Sequence, residues 1–285
     1  MTVDVYASGL VRPPVSATHI AEAAVAALHA QARLTPKPGL VDGQGGSSHP
    51  GTSVAMLVAS AEALREPLRQ CAEAARALPL GPELRARLGE VGRAGERRMR
   101  DVTGGVSTHR GALWTLGLLS AGAAVTEGAE SAASFAALVA RTPDACAPAA
   151  STPSHAEQVR RRCGMRGAAG EARGGFPHVI RIGLPALRAS RRRCDPPDTA
   201  MLNALITIMA NLDDTSVVRR GGRAGLRLVH RRASDIVQAG GCGTAEGWRR
   251  LESLCREADD YQLSTSGSGD LLAATLFLDS LAQAA

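Results

Sequence analysis

The chain has 285 residues, a formal net charge of +6 and 45% hydrophobic residues, yet only three Phe, two Tyr and two Trp. A core drawn mainly from Ala, Leu and Val favours close helix packing over sheets. The positive charge admits an anionic partner, but so little aromatic surface and no dedicated recognition helix argue against nucleic acid and for a smaller phosphorylated ligand.

Six cysteines (Cys71, Cys146, Cys163, Cys194, Cys242 and Cys255) are scattered without a C-x-x-C pair or metal-finger spacing. The start, MTVDVYASGLVRPPV, lacks the basic and apolar regions of a signal peptide. The longest apolar run, Ala112 to Val125, is short of the ~20 residues of a membrane span. These features predict a cytoplasmic protein with reduced thiols and no membrane partner.

Helical periodicity runs through the chain and no sustained alternation of period two is found. The expected fold is all-α: a single multi-helix domain over 1–285, with 1–15 flexible. A first helix follows Ser16 or Thr18, either suited to cap it, and places Ile20, Ala24, Ala27, Leu28 and Ala32 on one stripe. A second follows Thr52 or Ser53 through VAMLVASAEAL, with Pro67 bending or ending it. PELRARLGEVGRAGERRMRDV reads as a polar-faced helix with Pro82 in its first turn. STHRGALWTLGLLSAGAAV is apolar on nearly every side, the pattern of a central buried helix, capped by Ser107 or Thr108. Further helices are expected over Ser131–Arg141, Pro177–Arg193, Asp198–Val218, Ala224–Ala239, Ala245–Ala258 and Gly269–Ala282. Residues 142–175, rich in Pro, Ala, Gly and Arg, read as an irregular insert.

Four polar segments break this background where helices begin or end. In LTPKPGLVDGQGGSSHPGTS stands Lys37, the sole lysine, between Pro36 and Pro38, which stiffen the backbone around it. Asp42, Gly43, Gly45 and Gly46 follow, allowing close approach to a bulky anion. The order is not that of a P-loop, because the lysine precedes the glycines. In TGGVSTHRGA, a helix start beside Thr108, His109 and Arg110 has the parts of a phosphate site. GGFPHVIRIGLP sets His178 and Arg181 one turn apart. NLDDTSVVRRGG carries Asp213, Asp214, Arg220 and Gly221, and SGSGDLLAATLF carries Ser268 and Asp270. Carboxylates opposite such cations suit Mg²⁺ on a polyphosphate. A lone solvated lysine, ordinary capped helices and structural histidines are the plainer readings of each segment taken singly.

The order of T-P-K-P-G-L-V-D, G-V-S-T-H-R-G-A, G-F-P-H-V, L-D-D-T with R-G-G, and S-G-S-G-D-L-L-A-A-T-L-F-L-D resembles the triphosphoribosyl-dephospho-CoA synthases. The likeness runs from about Thr18 to the C-terminus and is closer to members serving malonate decarboxylase than to those serving citrate lyase. The resemblance implies a pentosyl transfer, in which ATP loses adenine and the 2′-hydroxyl of 3′-dephospho-CoA attacks the anomeric carbon. The product is then the precursor of an acyl carrier protein's prosthetic group, passed to a phosphoribosyl-dephospho-CoA transferase. Lys37, Arg110 and Arg220, with Gly45, Gly46, Thr108, Arg181, Gly221 and Ser268, would bind substrate and phosphates. Asp42, Asp213, Asp214 and Asp270 would face Mg²⁺ or the oxocarbenium centre, with Asp214 also among the catalytic residues. His109, His49 and His178 would move protons. The sequence departs from the family pattern at Gly43 (usually Arg), Ser48 (Ala), Gly51 and Ser53 (acids) and Ser107 (Asn). Two other readings stay open: an Mg²⁺-dependent N-glycoside hydrolase, and a paralogue that binds nucleotide or CoA without turnover.

Overall fold

The structure, a computed structural model, describes residues 15–44, 49–147 and 164–283. Among the described residues there are helices and turns but no strand. Helix α1 spans Ala17–Arg33, and the Ser16 side chain caps it by accepting the His19 N–H at 3.1 Å. Ser53 caps α2 (Val54–Ala63) through the Met56 N–H at 3.1 Å. The chain turns at Leu64 and re-enters a helix, α3 (Arg65–Ala77), that the sequence reading did not separate. Pro67 falls in the first turn of α3, so it starts a helix where it was expected to bend or end one. Its missing N–H costs nothing there. Helix α4 (Pro82–Val102) begins at Pro82 as anticipated.

Helix α5 (Arg110–Val125) has eleven of its 16 residues buried, as a central helix should. It packs on α1, α3 and α4 and on α6 (Ala129–Arg141). After α7 (Gly167–Arg173), Phe176 takes a positive φ of 53° while fully buried. The expected helix over Pro177–Arg193 is instead a π-turn at Val179–Gly183 followed by α8 (Leu184–Arg192). The single helix expected over Asp198–Val218 is likewise two, α9 (Pro197–Met209) and α10 (Thr215–Gln238). They separate because Asp214 caps a new start, accepting the Ser216 N–H at 2.9 Å. Helix α10 absorbs the expected Ala224–Ala239 helix and is broken once, at Gly222 (φ 60°, ψ −165°). Helices α11 (Ala245–Asp260) and α12 (Ser266–Gln283) complete the chain.

Helix α12 is the second central element, packed on α1, α5, α9, α10 and the π-turn. One apolar cluster runs from Ile20 on α1 through Leu116 on α5 to Phe277 on α12. The insert expected over 142–175 contains α7, and its middle lies outside the described residues, as do Gly45, Gly46, Ser48 and the expected flexible start. Cys71, Cys146, Cys194, Cys242 and Cys255 are free thiols. No helix of the described residues is long and apolar enough to cross a membrane.

The closeness of α5 and α6 gives a test. A Cβ on Gly122 would lie 2.2 Å from the Ala132 carbonyl oxygen, a backbone atom that no rotamer change can move. Gly122→Ala gains roughly 1 kcal/mol of helix propensity but overpacks at a cost of about 1–3 kcal/mol. A lower denaturation midpoint in urea is therefore expected, and a raised one would refute the packing described.

Candidate active site

The loop after α1 is fixed by its own polar groups. Lys37 is 2% exposed, and its Nζ donates to the carbonyls of Gln31 at 2.5 Å and Ala32 at 3.0 Å. These belong to the last turn of α1, where carbonyls lack helical partners. The Lys37 N–H donates to Asp42 Oδ2 at 2.9 Å, and the Gln44 N–H to Asp42 Oδ1 at 2.8 Å. Thr265, at the entrance to α12, donates its hydroxyl to the Pro38 carbonyl at 2.6 Å and its N–H to the Gly39 carbonyl at 3.2 Å. Gly39, at φ 68°, allows this contact, since a Cβ there would crowd the Leu263 carbonyl oxygen at 3.0 Å. The lone lysine, expected on a phosphate, thus binds the end of α1, and Asp42, expected on a metal, holds backbone N–H groups. Burial lowers the Lys37 pKa to about 8, with Asp42 opposing the shift.

At the mouth of α5, His109 occupies the cap position, without the side-chain cap expected from Ser107 or Thr108. The Thr108 hydroxyl lies 2.6 Å from Ser60 Oγ on α2, and Ser60 Oγ lies 2.8 Å from His109 Nδ1. His109 is 4% exposed, and burial, with Lys37 and His29 nearby, lowers its pKa to about 4. It is a neutral imidazole at physiological pH. Its neighbour Arg110 turns outward, 3.5 Å from Glu96. The carboxylate of Asp270 rests on the first turn of α5: a Cβ on Gly111 would lie 2.0 Å from Asp270 Oδ2. Desolvation and the nearby Asp214 raise the Asp270 pKa well above the ordinary value, while the Ala112 N–H works the other way.

Asp214 is buried at the start of α10 and faces the start of α12 as well. Its Oδ1 accepts from the Ser216 N–H at 2.9 Å, and its Oδ2 from the Ser268 N–H at 2.9 Å and the Ser268 hydroxyl at 3.1 Å. Burial raises its pKa and these donors oppose the rise. One carboxylate therefore caps two helices, and Ser268 serves that cap and not a ligand. The four aspartates do not form one cluster: Asp42 and Asp214 are engaged with backbone donors, and Asp213 is exposed. Among the described residues, no group of three or more His, Cys, Asp or Glu is gathered for a metal. Asp270 lies beside Asp214 with the Ala112 N–H as a backbone donor, and it has acceptor positions left over. That fits Mg²⁺ arriving with a polyphosphate, which needs only one or two carboxylates from the protein.

His49 Nε2 lies 3.0 Å from Ser264 Oγ, and its Nδ1 is buried with no hydrogen-bond partner. Burial, with Arg220 and Arg219 nearby, lowers its pKa to about 4. Arg220 reaches the Gln262 carbonyl at 3.4 Å, and Gly221 packs against Leu263, so the R-G-G segment docks on the approach to α12. His178 stands on the other flank. Its Nδ1 is 2.8 Å from Glu171 Oε2, its N–H donates to Glu171 Oε1 at 2.9 Å, and its Nε2 is 3.3 Å from the Asn211 carbonyl oxygen. The Glu171 carboxylate can only accept, so Nδ1 carries hydrogen, and this bond raises the His178 pKa. His178 braces α7 against the L-D-D-T loop. Arg181 is exposed on the π-turn.

Ser60 and Glu171 were not singled out from the sequence. Each left a faint signal: Ser60 is a hydroxyl in the apolar run VAMLVASAEAL, and Glu171 is the sole acid between residues 164 and 193. Two departures from the family pattern are also explained. Ser53 is the α2 cap, a role in which Ser and Asp are equivalent. Gly51 has a φ of 79° with nothing within 4 Å of its would-be Cβ, so a side chain there would point into open space.

Lys37 supplies a pH test. Its pKa is lower when folded, about 8, than the ordinary 10.5, so the folded state binds fewer protons between those values. Stability from this position then rises with pH across the window and is flat below it. In urea titrations from pH 7.5 to 10.5, the wild type should show this upward contribution relative to Lys37→Met. Parallel curves would show that the lysine is solvated.

The sequence profile of the CitG family, ATP:dephospho-CoA triphosphoribosyl transferase, matches residues 17–285. A probable 2-(5''-triphosphoribosyl)-3'-dephosphocoenzyme-A synthase of Azotobacter vinelandii is 47% identical over 272 residues, covering 94% of this chain and 93% of that protein. A protein of Stutzerimonas stutzeri with the same description is 45% identical, covering 95% and 94%. The 2-(5''-triphosphoribosyl)-3'-dephosphocoenzyme-A synthase of Klebsiella pneumoniae is 41% identical, covering 92% and 94%. No solved structure matches the chain. With the match spanning α1 to α12, the chain belongs to the ATP:dephospho-CoA triphosphoribosyl transferase family.

Proposed function

We propose that the chain transfers the triphosphoribosyl group of ATP to the 2′-hydroxyl of 3′-dephospho-CoA, releasing adenine. The observation that carries this reading is the convergence of Lys37, His49, His109, Asp214 and Asp270, far apart in sequence, on the adjoining starts of α5 and α12. In the reaction the bond from the anomeric carbon to adenine breaks, and a bond from that carbon to the 2′-oxygen forms. A proton leaves the hydroxyl and adenine leaves protonated. Charge develops as an oxocarbenium-like centre, which a carboxylate stabilises. Asp270 takes that place; the cationic centre, or Mg²⁺ carried in on the triphosphate, would hold its carboxyl ionised against the upward pKa shift set by burial and Asp214. Bound Mg²⁺ would supply charge neutralisation for the phosphates.

Arg219 and Arg220, with Thr108 and Arg110 across the mouth, face the triphosphate. His49 is the base: it is neutral, and its Nδ1 has no protein partner among the described residues. Phosphate bound to Arg219 and Arg220 would offset the positive charge that lowers the His49 pKa, making it more basic once substrate is present. Gly51 and Ser53 leave this cluster intact, which favours an active enzyme over a copy that only binds. We also propose a cytoplasmic location and a product passed to a phosphoribosyl-dephospho-CoA transferase that serves the acyl carrier protein of malonate decarboxylase.

Mass spectrometry of reactions with ATP, Mg²⁺ and 3′-dephospho-CoA checks the assignment. The expected product is the triphosphoribosyl adduct of dephospho-CoA together with adenine. Free ribose triphosphate would identify a hydrolase, and saturable binding without turnover a non-catalytic copy. Asp270→Asn keeps the shape but removes the charge, and should lower kcat by roughly 10²–10³-fold, the range for losing one electrostatic stabiliser.

A further inference from the structure

The positive charge of the chain is concentrated on one helix. Helix α10 holds six arginines (Arg219, Arg220, Arg223, Arg227, Arg231 and Arg232) against one aspartate, Asp235, so it is five charges positive where the whole chain is six. On other helices, arginines find carboxylates about one turn away. Arg69 pairs with Glu66 and Glu73 on α3, Arg87 with Glu90 and Arg100 with Glu96 on α4, and Arg249 and Arg250 with Glu246 on α11. No such pair forms within α10. Arg232 reaches Glu257 on α11 at 2.7 Å, while Arg227 and Arg231 are exposed and have no ion-pair partner among the described residues. Like charges four residues apart repel and weaken a helix, so the stripe costs α10 stability.

The stripe also has a direction. Gly225, Val229, Ala233 and Ile236 form the buried face of the second half of α10. Arg223, Arg227 and Arg231 each stand two residues before one of the first three, about 200° around the helix, and so face away from the core. The near end of the stripe is the candidate active site. Arg220 donates to the Gln262 carbonyl at 3.4 Å, two residues before the Ser264 that meets His49 at 3.0 Å. Arg219 and Arg220 are close enough to His49 to lower its pKa. Along the axis Arg227 stands about 10 Å and Arg231 about 16 Å beyond Arg220. From 223 to 231 the exposed residues are Arg223, Ala224, Arg227 and Arg231. They give no platform for a nucleobase, no wedge for a membrane and no aromatic anchor for a protein. What this face offers is charge.

We infer that the outward face of α10, with Arg227 and Arg231 beyond the arginines at the mouth, is an electrostatic guide that draws polyphosphorylated nucleotides to the site. This rests on the transferase reading, which makes both substrates polyanions, and adds how they arrive. A guide acts on the encounter and needs no pocket: the summed field of like charges raises the local concentration and the on-rate of an oppositely charged ligand. Arginine suits the task because it stays ionised at every working pH. Arg219 and Arg220, at the end of the stripe, then take over the phosphates. Being long-ranged and exposed, the effect fades as salt shortens the screening length, roughly 10 Å at 0.1 M and 3 Å at 1 M.

Stopped-flow association of etheno-ATP, a fluorescent ATP analogue, at several salt concentrations tests this without turnover. At low salt the double variant Arg227→Gln/Arg231→Gln should associate about tenfold more slowly than the wild type, the lower end of steering effects. Its dissociation rate should be unchanged, its salt dependence flatter, and the two proteins should converge near 1 M salt, where screening is nearly complete. Arg227→Lys/Arg231→Lys keeps the charge and should keep the wild-type rate. Arg192→Glu removes the same two units of net charge on α8, whose Arg188 and Arg191 pair with Asp279 toward the far end of α12, and should change the rate less than about twofold. Wild-type association and salt slope in the glutamine variant would overturn the inference. So would an equal fall in Arg192→Glu, which would make net charge the cause, or a faster dissociation at unchanged association, which would make the arginines direct contacts. If the guide behaves as stated but the wild type makes no triphosphoribosyl adduct, the transferase reading fails while the guide stands.

Discussion

Two central helices, α5 and α12, begin against other parts of the chain, and a helix start leaves N–H groups that must find acceptors. At the start of α12 and of α10 those acceptors are the two oxygens of one carboxylate, Asp214. At the start of α5 the Asp270 carboxylate lies against Gly111 and Ala112. The polar groups of the site are therefore held where they are by the same requirement that lets the helices meet. Carboxylates at positive helix ends are stabilised by the local dipole, which offsets part of the cost of drawing two of them out of water side by side.

The end of α1 presents the opposite problem, unpaired carbonyls, and Lys37 answers it with a positive charge. An ammonium is a compact group with three donors that fits a socket of carbonyls, whereas a guanidinium is a broad planar fork. That difference accounts for one lysine in a chain that otherwise uses arginine. The same loop is tied to α12 through Thr265, so the lysine and the carboxylates act on one junction.

Around that junction the three histidines named from the sequence are in three electrostatic states. His178 is held toward its protonated form by its bond to Glu171. His49 is neutral beside two arginines, and His109 is neutral because it is enclosed. Residue type alone suggested proton transfer for all three. The neighbours decide that one braces the scaffold, one has a buried nitrogen without a protein partner, and one is enclosed beside Ser60.

Much of the fold was legible in the chain itself. Periodicity of Ala and Leu gave the helices, the all-apolar stretch after Arg110 gave the central one, and Ser16, Ser53 and Pro82 marked their starts. The breaks at Leu64, at residues 210–214 and at the π-turn were not legible in the periodicity. Asp214, read as a ligand, caps α10 locally, and its second oxygen is filled because α12 arrives beside it. The order of polar segments was likewise enough to point to the family, since short motifs survive as local sequence. Which members touch one another was not: Ser60 and Thr108 are 48 residues apart, and Pro38 and Thr265 are 227 apart. The sequence by itself determined the helical class, the family and the stock of charged groups, all of which are set by local pattern. Tertiary structure alone decided that Lys37 binds carbonyls, that Asp214 joins two helix starts and that Ser60 meets His109, because burial and the supply of hydrogen-bond partners exist only once the helices have packed.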